Sequence, residues 1–412
     1  MKRGVLLINT GKSGPVSLLE QRRDIDLYVI TERSYAHLYS PATEIRFVSD
    51  VGQLDEVWAQ VLEIGKSRRI DGVIAASERS VRAAGYVRSE LRLPGTKYAT
   101  ANAFSNKVEM KSQLRIFGAP VADFVSVTQQ APALELVDSL GWPIIVKPAL
   151  GSGSGYCFVV ESLTQYRILS KSEIWSARFG KSPEMIAEKF IDISAEYHCD
   201  AVIANGKQIF LAAARYRAPV LGGIKGIFGS HSLRESHPVY PILAELHTIA
   251  IDALGLRDGI THMEVLQAQD RFMIGEIACR PGGGGIPNLL EHQYGLDVWQ
   301  ELIRVSLGEF DLRVIQEAPG IVVQCMLPIG IGRIREITSA AELFELDHVV
   351  DVEMFYHAGD IVAGDPHYTE CAGLVLFRVD TEQRVEDCYR LVEERYHFSM
   401  SDRGPGDEAE QV

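Results

Sequence analysis

The stretch PIIVKPALGSGSG, residues 143–155, decides how the chain is read. A short apolar run ends in Lys147, and a loop of small residues follows at once. Glycines at 151, 153 and 155 let backbone N–H groups close on an anion with no Cβ in the way. Ser152 and Ser154 add hydroxyls between them, and Lys147 adds a fixed positive charge. Such a loop suits a nucleotide phosphate and is expected to close over it as a lid. The spacing is neither GxxxxGK[ST] nor GxGxxG. Tyr156–Val160 reads as a strand, so no helix opens after the glycines. The plain alternative is a flexible hairpin loop. A second small-residue string, Gly11-Lys12-Ser13, lacks the upstream glycine of a phosphate loop. It reads as a strand–helix turn, bordering at most the substrate.

Downstream, Thr261–Ala268 and Phe272–Ala278 read as two strands joined near Asp270. Glu264 and Glu276 lie about equally far from that turn, so they can face each other within reach of one divalent ion. Alternation puts His262 on the face of Glu264, and Arg280 on the face of Glu276 if the strand continues. Two carboxylates and an arginine fit a metal and a transferring phosphate. An exposed salt-bridged hairpin is the ordinary alternative. Four glycines, 282–285, follow Arg280. They are expected to leave space, with Gly283 and Gly284 bordering a substrate larger than glycine or alanine.

Upstream, Val5–Ile8, Leu27–Ile30, Ile45–Val48 and Gly72–Ala75 read as buried strands, with helical stretches at Leu54–Lys66 and Val81–Leu91. That order implies an α/β chain beginning with a doubly wound parallel sheet. Ligands sit at the carboxyl ends of such strands, here Asn9–Gly11 and Ala76–Arg79. The 412 residues, 46% of them hydrophobic, allow several cores. With 41 basic and 55 acidic side chains the net charge is −14, which argues against a general nucleic-acid or membrane-surface binder. Six scattered cysteines form no CxxC pair and read as reduced thiols of a cytoplasmic protein. The apolar start is too short for a signal peptide, and no stretch approaches the ~18 apolar residues of a transmembrane helix.

Taken in order, these pieces resemble the ATP-grasp superfamily. The matching string runs from Asn106-Lys107 through Val146-Lys147-Pro148, the glycine loop, 187–191 (AEKFI) and Glu196, to Glu264, Glu276 and Arg280. A tail segment, Gly332-Arg-Ile-Arg-Glu336-Ile with Gly359-Asp360, is similar to the L-amino-acid ligases that make dipeptides. The resemblance implies an ATP-grasp fold with an N-terminal parallel-sheet domain (1–105), a linker helix and small lid (106–193), a catalytic subdomain (194–310) and a C-terminal α+β region (311–402); the polar composition of the tail (403–412) reads as disordered. It implies ATP phosphates held by Lys107 and Lys147 and the glycine loop. Adenine would lie on Glu188 and the backbone at Lys189, Phe190 and Ile191, and ribose on Glu196. Glu264 and Glu276 would ligate Mg²⁺, with Mn²⁺ as a substitute, and Arg280 would steady the transferred phosphoryl group. Ala278 stands where many members carry an asparagine metal ligand, and Asn106 stands where aspartate is common.

The implied reaction activates a carboxylate as an acyl phosphate and couples it to an amine, an amino acid by preference, releasing ADP and phosphate. Glu78, at a strand's carboxyl end, is expected to hold a substrate ammonium, with His231 nearby in a glycine-rich loop, Leu221–Ser232, that also holds Lys225. Partners are small-molecule carboxylates and amines, and a homodimer stays open. The rival readings are another ATP-grasp chemistry, such as a carboxylase, and a non-catalytic nucleotide-binding protein. Retention of both lysines, both acids and Arg280 argues against the latter.

Overall fold

The computed structural model describes residues 2–128, 131–151, 157–179, 184–222, 226–309, 315–362 and 371–401. Ser152, Gly153, Ser154 and Gly155 of the phosphate loop, Lys225 and the tail lie outside these residues.

The first sheet is parallel, in the order β3-β2-β1-β4, from strands β1 (Arg3–Ile8), β2 (Ile25–Glu32), β3 (Glu44–Val48) and β4 (Gly72–Ala75). Strands β1 and β4 are near-continuous apolar runs because both their faces are covered. Val5, Leu6, Leu7 and Ile8 are all fully buried. Helices α1 (Gly14–Glu20), α2 (Leu54–Gly65), α3 (Glu78–Glu90) and α4 (Tyr98–Ser105) connect and cover it. The chain steps from β1 outward to β2 and β3, then returns to the other side of β1 for β4. The switch point therefore lies between β1 and β4, where doubly wound sheets open a crevice at the strands' carboxyl ends.

Helix α5 (Lys107–Ile116) leads to a small antiparallel sheet, β5-β8-β6-β7, formed by β5 (Phe124–Thr128), β6 (Ile144–Pro148), β7 (Phe158–Val160) and β8 (Glu184–Lys189). With α6 (Leu134–Ser139), α7 (Leu163–Leu169) and α8 (Glu173–Phe179) it encloses its own core around Val137, Val146, Tyr166 and Trp175.

The third sheet has eight antiparallel strands in the order β13-β12-β9-β10-β11-β14-β18-β16. They are β9 (Ala195–Ala204), β10 (Lys207–Tyr216), β11 (Phe228–Leu233), β12 (Gly259–Ala268), β13 (Arg271–Ala278), β14 (Ile321–Leu327), β16 (Val349–Met354) and β18 (Gly373–Val379). A three-stranded sheet, β17-β15-β19, joins β15 (Gly332–Ile337), β17 (Ile361–Val362) and β19 (Phe398–Ser401). The eight-stranded sheet runs straight across residue 310, since β11 pairs with β14. The large sheet thus draws strands from both the 194–310 and the 311–402 segments.

One face of the large sheet packs on α9 (Tyr240–Leu254). Helices α12 (Ala340–Phe344) and α13 (Val385–Arg395) flank its C-terminal strands. The opposite face receives α10 (Ile286–Tyr294) and α11 (Val298–Leu307). Helix α11 is well delimited. The Asp297 side chain accepts from the amides of Trp299 and Gln300, and Gly308 closes the helix at φ 71°. Its Leu302, Ile303 and Val305 share one core with Val5 and Ile74 of the first sheet and Val202 and Ile260 of the large one. Arg3 donates to the carbonyl of Leu307 at 2.8 Å. Truncating Leu302 to alanine would cost about 2–5 kcal/mol, because its apolar area joins both sheets.

Candidate active site

The acid hairpin forms as β12 and β13. Glu264 and Glu276 are direct cross-strand partners, and a bulge after them leaves Gly275 unpaired. Paired residues of adjacent antiparallel strands project to the same face, so both carboxylates point to one side, each part-exposed.

Two lysines approach from the lid side. Lys107, nearly buried, donates to the carbonyl of Gly151 at 2.7 Å and lies 3.1 Å from Glu276. It opens α5, whose N-cap is Asn106. The Asn106 side chain accepts from the amides of Val108 and Glu109 and donates to Glu184 at 3.1 Å. An amide serves that cap as well as a carboxylate would. Lys147 is the next-to-last residue of β6 and sits 3.2 Å from Glu188. Burial disfavours its charge, but Glu188 and then Glu276 outweigh burial and hold its pKa above the usual lysine value. Glu188 also meets Lys111, 1% exposed, at 3.3 Å. Burial favours the neutral acid, yet Lys111 and Lys147 together keep Glu188 below the usual carboxylate range. Lys111 itself stays below the usual lysine value, since burial exceeds what Glu188 returns. Of the backbone expected at the adenine, the amides of Lys189 and Phe190 donate to Asp123 and Pro143. The amide of Ile191 has no acceptor among the described residues.

Strand β9 carries Glu196, His198 and Asp200 on the face of Glu264. Glu196 accepts from the amide of Val220 at 2.8 Å. Burial, then the charge of Glu264, pushes it up to about 8. Asp200 accepts from Nδ1 of His198 at 2.6 Å and Nδ1 of His262 at 2.9 Å. Ser230 lies 3.0 Å from Nε2 of His198. The three side chains are close enough for a metal, but a carboxylate bridging two ring nitrogens is already a satisfied hydrogen-bond network. Burial disfavours the His262 imidazolium, yet Asp200 and Glu264 outweigh it and push its pKa up to about 9. A cation thus stands 3.8 Å from Glu264. The Glu-x-His-x-Asp alternation at 196–200 was the signal for this network, which the sequence reading missed along with Lys111.

Arg280, just past β13, reaches the first domain. Its Nε donates to Glu78 at 2.7 Å and its Nη1 to the carbonyl of Pro281 at 2.9 Å. Glu78 is the first residue of α3, after β4, with Ser77 as N-cap. The structure therefore joins the expected ammonium site to the expected phosphoryl arginine.

Two expectations need correction. His231 is not in a loop beside Glu78. It lies within β11, paired with Arg215 and Val323 on the face opposite Glu264, 3.5 Å from Glu382. Its neighbours Ser230 and Ser232 face the site side instead. Nor does the glycine run leave room. A Cβ at Gly282 would meet Ile286 at 2.9 Å, at Gly284 Met326 at 3.1 Å, and at Gly285 Gln324 and Leu374 at 2.8 Å. Gly284 and Gly285 also have φ of 59° and 86°. These glycines exist for tight packing and left-handed backbone. Gly283 is half-buried, and its carbonyl accepts from the amide of Ile286 at 3.2 Å.

A switch-point crevice, a lysine-lined lid sheet and paired glutamates on an antiparallel sheet together form the ATP-grasp architecture. No family model matches the chain. It is 33% identical over 405 residues to the L-arginine-specific L-amino acid ligase of Bacillus subtilis, covering 97% of this chain and 98% of that one. It is 20% identical over 356 residues to dapdiamide A synthase of Enterobacter agglomerans, covering 81% and 82%. The crystal structure of L-amino acid ligase from Bacillus licheniformis matches with a TM-score of 0.74 at 20% identity, over 97% of this chain and 99% of that one. The biotin carboxylase domain of Hydrogenobacter thermophilus 2-oxoglutarate carboxylase, in complex with MgADP, ADP and bicarbonate, matches at 0.71 with 14% identity, over 97% and 91%. The chain belongs to the L-amino-acid ligase family of ATP-grasp enzymes. It is an ATP-dependent, ADP-forming ligase that joins small molecules through an amide bond. Among the described residues no helix is long and apolar enough to cross a membrane.

Proposed function

We propose that the enzyme couples two amino acids, or an amino acid and a related amine, at the crevice between Arg280 and Glu78. The observation that carries this is the Arg280–Glu78 contact at 2.7 Å beside the facing Glu264 and Glu276. A donor α-amino acid presents an ammonium and a carboxylate on one carbon. Glu78 takes the ammonium and Arg280 the carboxylate, each exchanging its present partner for the substrate's opposite charge.

The donor carboxylate oxygen attacks the γ-phosphorus of ATP, the bond to the β-phosphate oxygen breaks, and ADP leaves an acyl phosphate. The acceptor amine then attacks the acyl carbon, loses its proton, and phosphate departs. Lys107, Lys147 and the glycine loop hold the phosphates, and Arg280 meets charge developing on the transferred group. Such a positioned donor is worth about 10²–10³ in rate. Glu188 and the amide of Ile191 take adenine, Glu196 the ribose. Glu188 has a further task, anchoring Lys147 and Lys111.

The residues present fit Mg²⁺, with Mn²⁺ as a substitute. Two part-exposed carboxylates are directly opposed, and burial of Glu264 is outweighed by His262, which keeps it below the usual carboxylate range. When bound, the ion neutralises phosphate charge. The Ala278 side chain offers no ligand, so water and phosphate oxygens would have to complete the shell. Six free cysteines, four of them buried, support a cytoplasmic setting. The family resemblance leaves a homodimer as the assembly to test.

ADP release measured with mixed L-amino acids and Mg²⁺ tests the reading. Release that needs two amino acids and yields a dipeptide mass supports it. Release driven instead by bicarbonate, or no release with any amino-acid pair, defeats it.

A further inference from the structure

The turn after β1 holds a lysine that the reaction above does not use. Lys12 stands at the carboxyl end of β1, and Glu78 just past that of β4. These two strands pair directly, Ile8 beside Ala75. Both loops therefore open on the switch-point crevice. The turn is held firmly. Fully buried Asn9 donates to the Lys12 carbonyl at 2.9 Å and to the Tyr39 hydroxyl at 3.0 Å, and accepts from Thr31 through its own carbonyl at 2.9 Å. Gly11 supplies the left-handed step at φ 59°. Lys12 is half-buried, and no described carboxylate lies within ion-pair distance of its ammonium. Burial, and then the charge of Arg280 across the crevice, keep its pKa below the usual lysine value. A half-buried ammonium with no described carboxylate beside it, facing a guanidinium already paired with Glu78, is an arrangement that an anion relieves.

Charge matching says which anion. A donor amino acid is a neutral zwitterion, and Glu78 with Arg280 is a neutral pair that matches it. Lys12 is the positive charge left over. The acceptor amino acid brings one charge that none of the described residues placed in the crevice above meets, the carboxylate it keeps through the reaction. We propose that Lys12 binds the free carboxylate of the acceptor, and so selects amino acids over simple amines. This rests on the donor reading of Glu78 and Arg280 given above. Lys12 acts as a specificity-determining residue, with the reacting atoms on the far side of the acceptor's α-carbon.

The test compares wild type, Lys12→Gln and Lys12→Arg. Each acceptor that wild type accepts is paired with its own α-carboxamide, and hydroxylamine serves as a carboxylate-free nucleophile that traps the acyl phosphate as a hydroxamate. Wild type should favour the acid over the amide. Lys12→Gln should raise the acceptor's KM about 10- to 100-fold, the loss of one charge-assisted hydrogen bond, and erase that preference. Amide and hydroxamate formation should move far less, and Lys12→Arg should keep the preference. A general structural defect would lower all three nucleophiles together and would overturn the proposal. So would a raised donor KM in hydroxamate formation, which would assign Lys12 to the donor, or a wild type that does not distinguish acid from amide. Absence of hydroxamate from wild type with every carboxylic donor would instead defeat the acyl-phosphate reading itself.

Discussion

Arg280 and Glu78 lie 202 residues apart in the chain, yet the guanidinium Nε meets the carboxylate at 2.7 Å. That contact spans the first sheet and the large one. Both side chains are mostly buried, at 16% and 9% exposure, so removing one charge leaves the other poorly solvated. Glu78→Gln should cost about 1–3 kcal/mol of stability, and should raise the donor's KM at least tenfold while the KM for ATP moves little. Initial-rate kinetics with donor and ATP varied separately checks this. An unchanged donor KM would remove Glu78 from the amino-acid site.

Glu276 faces Glu264 and stands 3.1 Å from Lys107. In Glu276→Gln one of the two proposed metal ligands loses its charge, and turnover should fall about 10²- to 10³-fold, the scale of one lost electrostatic stabiliser. The melting temperature should hardly change, because the site is part-exposed. Titrating Mg²⁺ and Mn²⁺ while following ADP release separates weak metal binding from slow chemistry. Normal ADP production would withdraw the metal assignment.

Gly285 has φ 86°, and a Cβ there would lie 2.8 Å from Gln324 and Leu374. Gly285→Ala combines backbone strain with overpacking, each about 1–3 kcal/mol. It should lower the unfolding midpoint and reduce activity equally for small and large acceptors. A loss confined to large acceptors would restore the view that the glycine run forms the acceptor pocket.

His247 is fully buried on α9 and sits 2.6 Å from Gln208 and 2.8 Å from Thr261. Burial is the leading cause that lowers its pKa to about 4 from 6.5. The unfolded chain therefore takes up a proton that the folded one refuses. This residue's contribution is fully present above about pH 6.5 and is lost as the pH falls toward 4. At ~1.36 kcal/mol per pKa unit it amounts to about 3 kcal/mol. Urea unfolding across that range should show the decline, and His247→Gln should flatten it. Equal slopes for both proteins would mean that other groups dominate acid sensitivity.

How much the chain disclosed in advance followed the range of the interactions. The opposition of Glu264 and Glu276 was readable because a hairpin is local, and equal distance from a turn fixes partners. The bulge at Gly275 was not, since alternation carries no sign of an extra residue. His231 shows how little is needed for error. Placing 221–232 in a loop discarded the alternation that turns His231 away and Ser230 inward. Lys111 follows Lys107 by four residues on one helix and was legible by spacing alone. The meeting of Arg280 with Glu78 was not legible, because it depends on α11 joining two sheets. The glycine run misled because open space and tight packing both exclude a Cβ, and only the neighbours from β14 and β18 tell them apart.

Helix α11 gives the first sheet and the large sheet a shared core, while the lid sheet keeps a core of its own around Val146 and Trp175. The two halves of substrate recognition therefore differ mechanically. On the proposed assignment, the amino-acid crevice would be fixed at assembly, while a nucleotide clamp with a core of its own would be free to pivot. Order of addition follows from this: neither amino acid has to wait for ATP. Isotope trapping should then find donor committed to product whether it was mixed with the enzyme before nucleotide or after it.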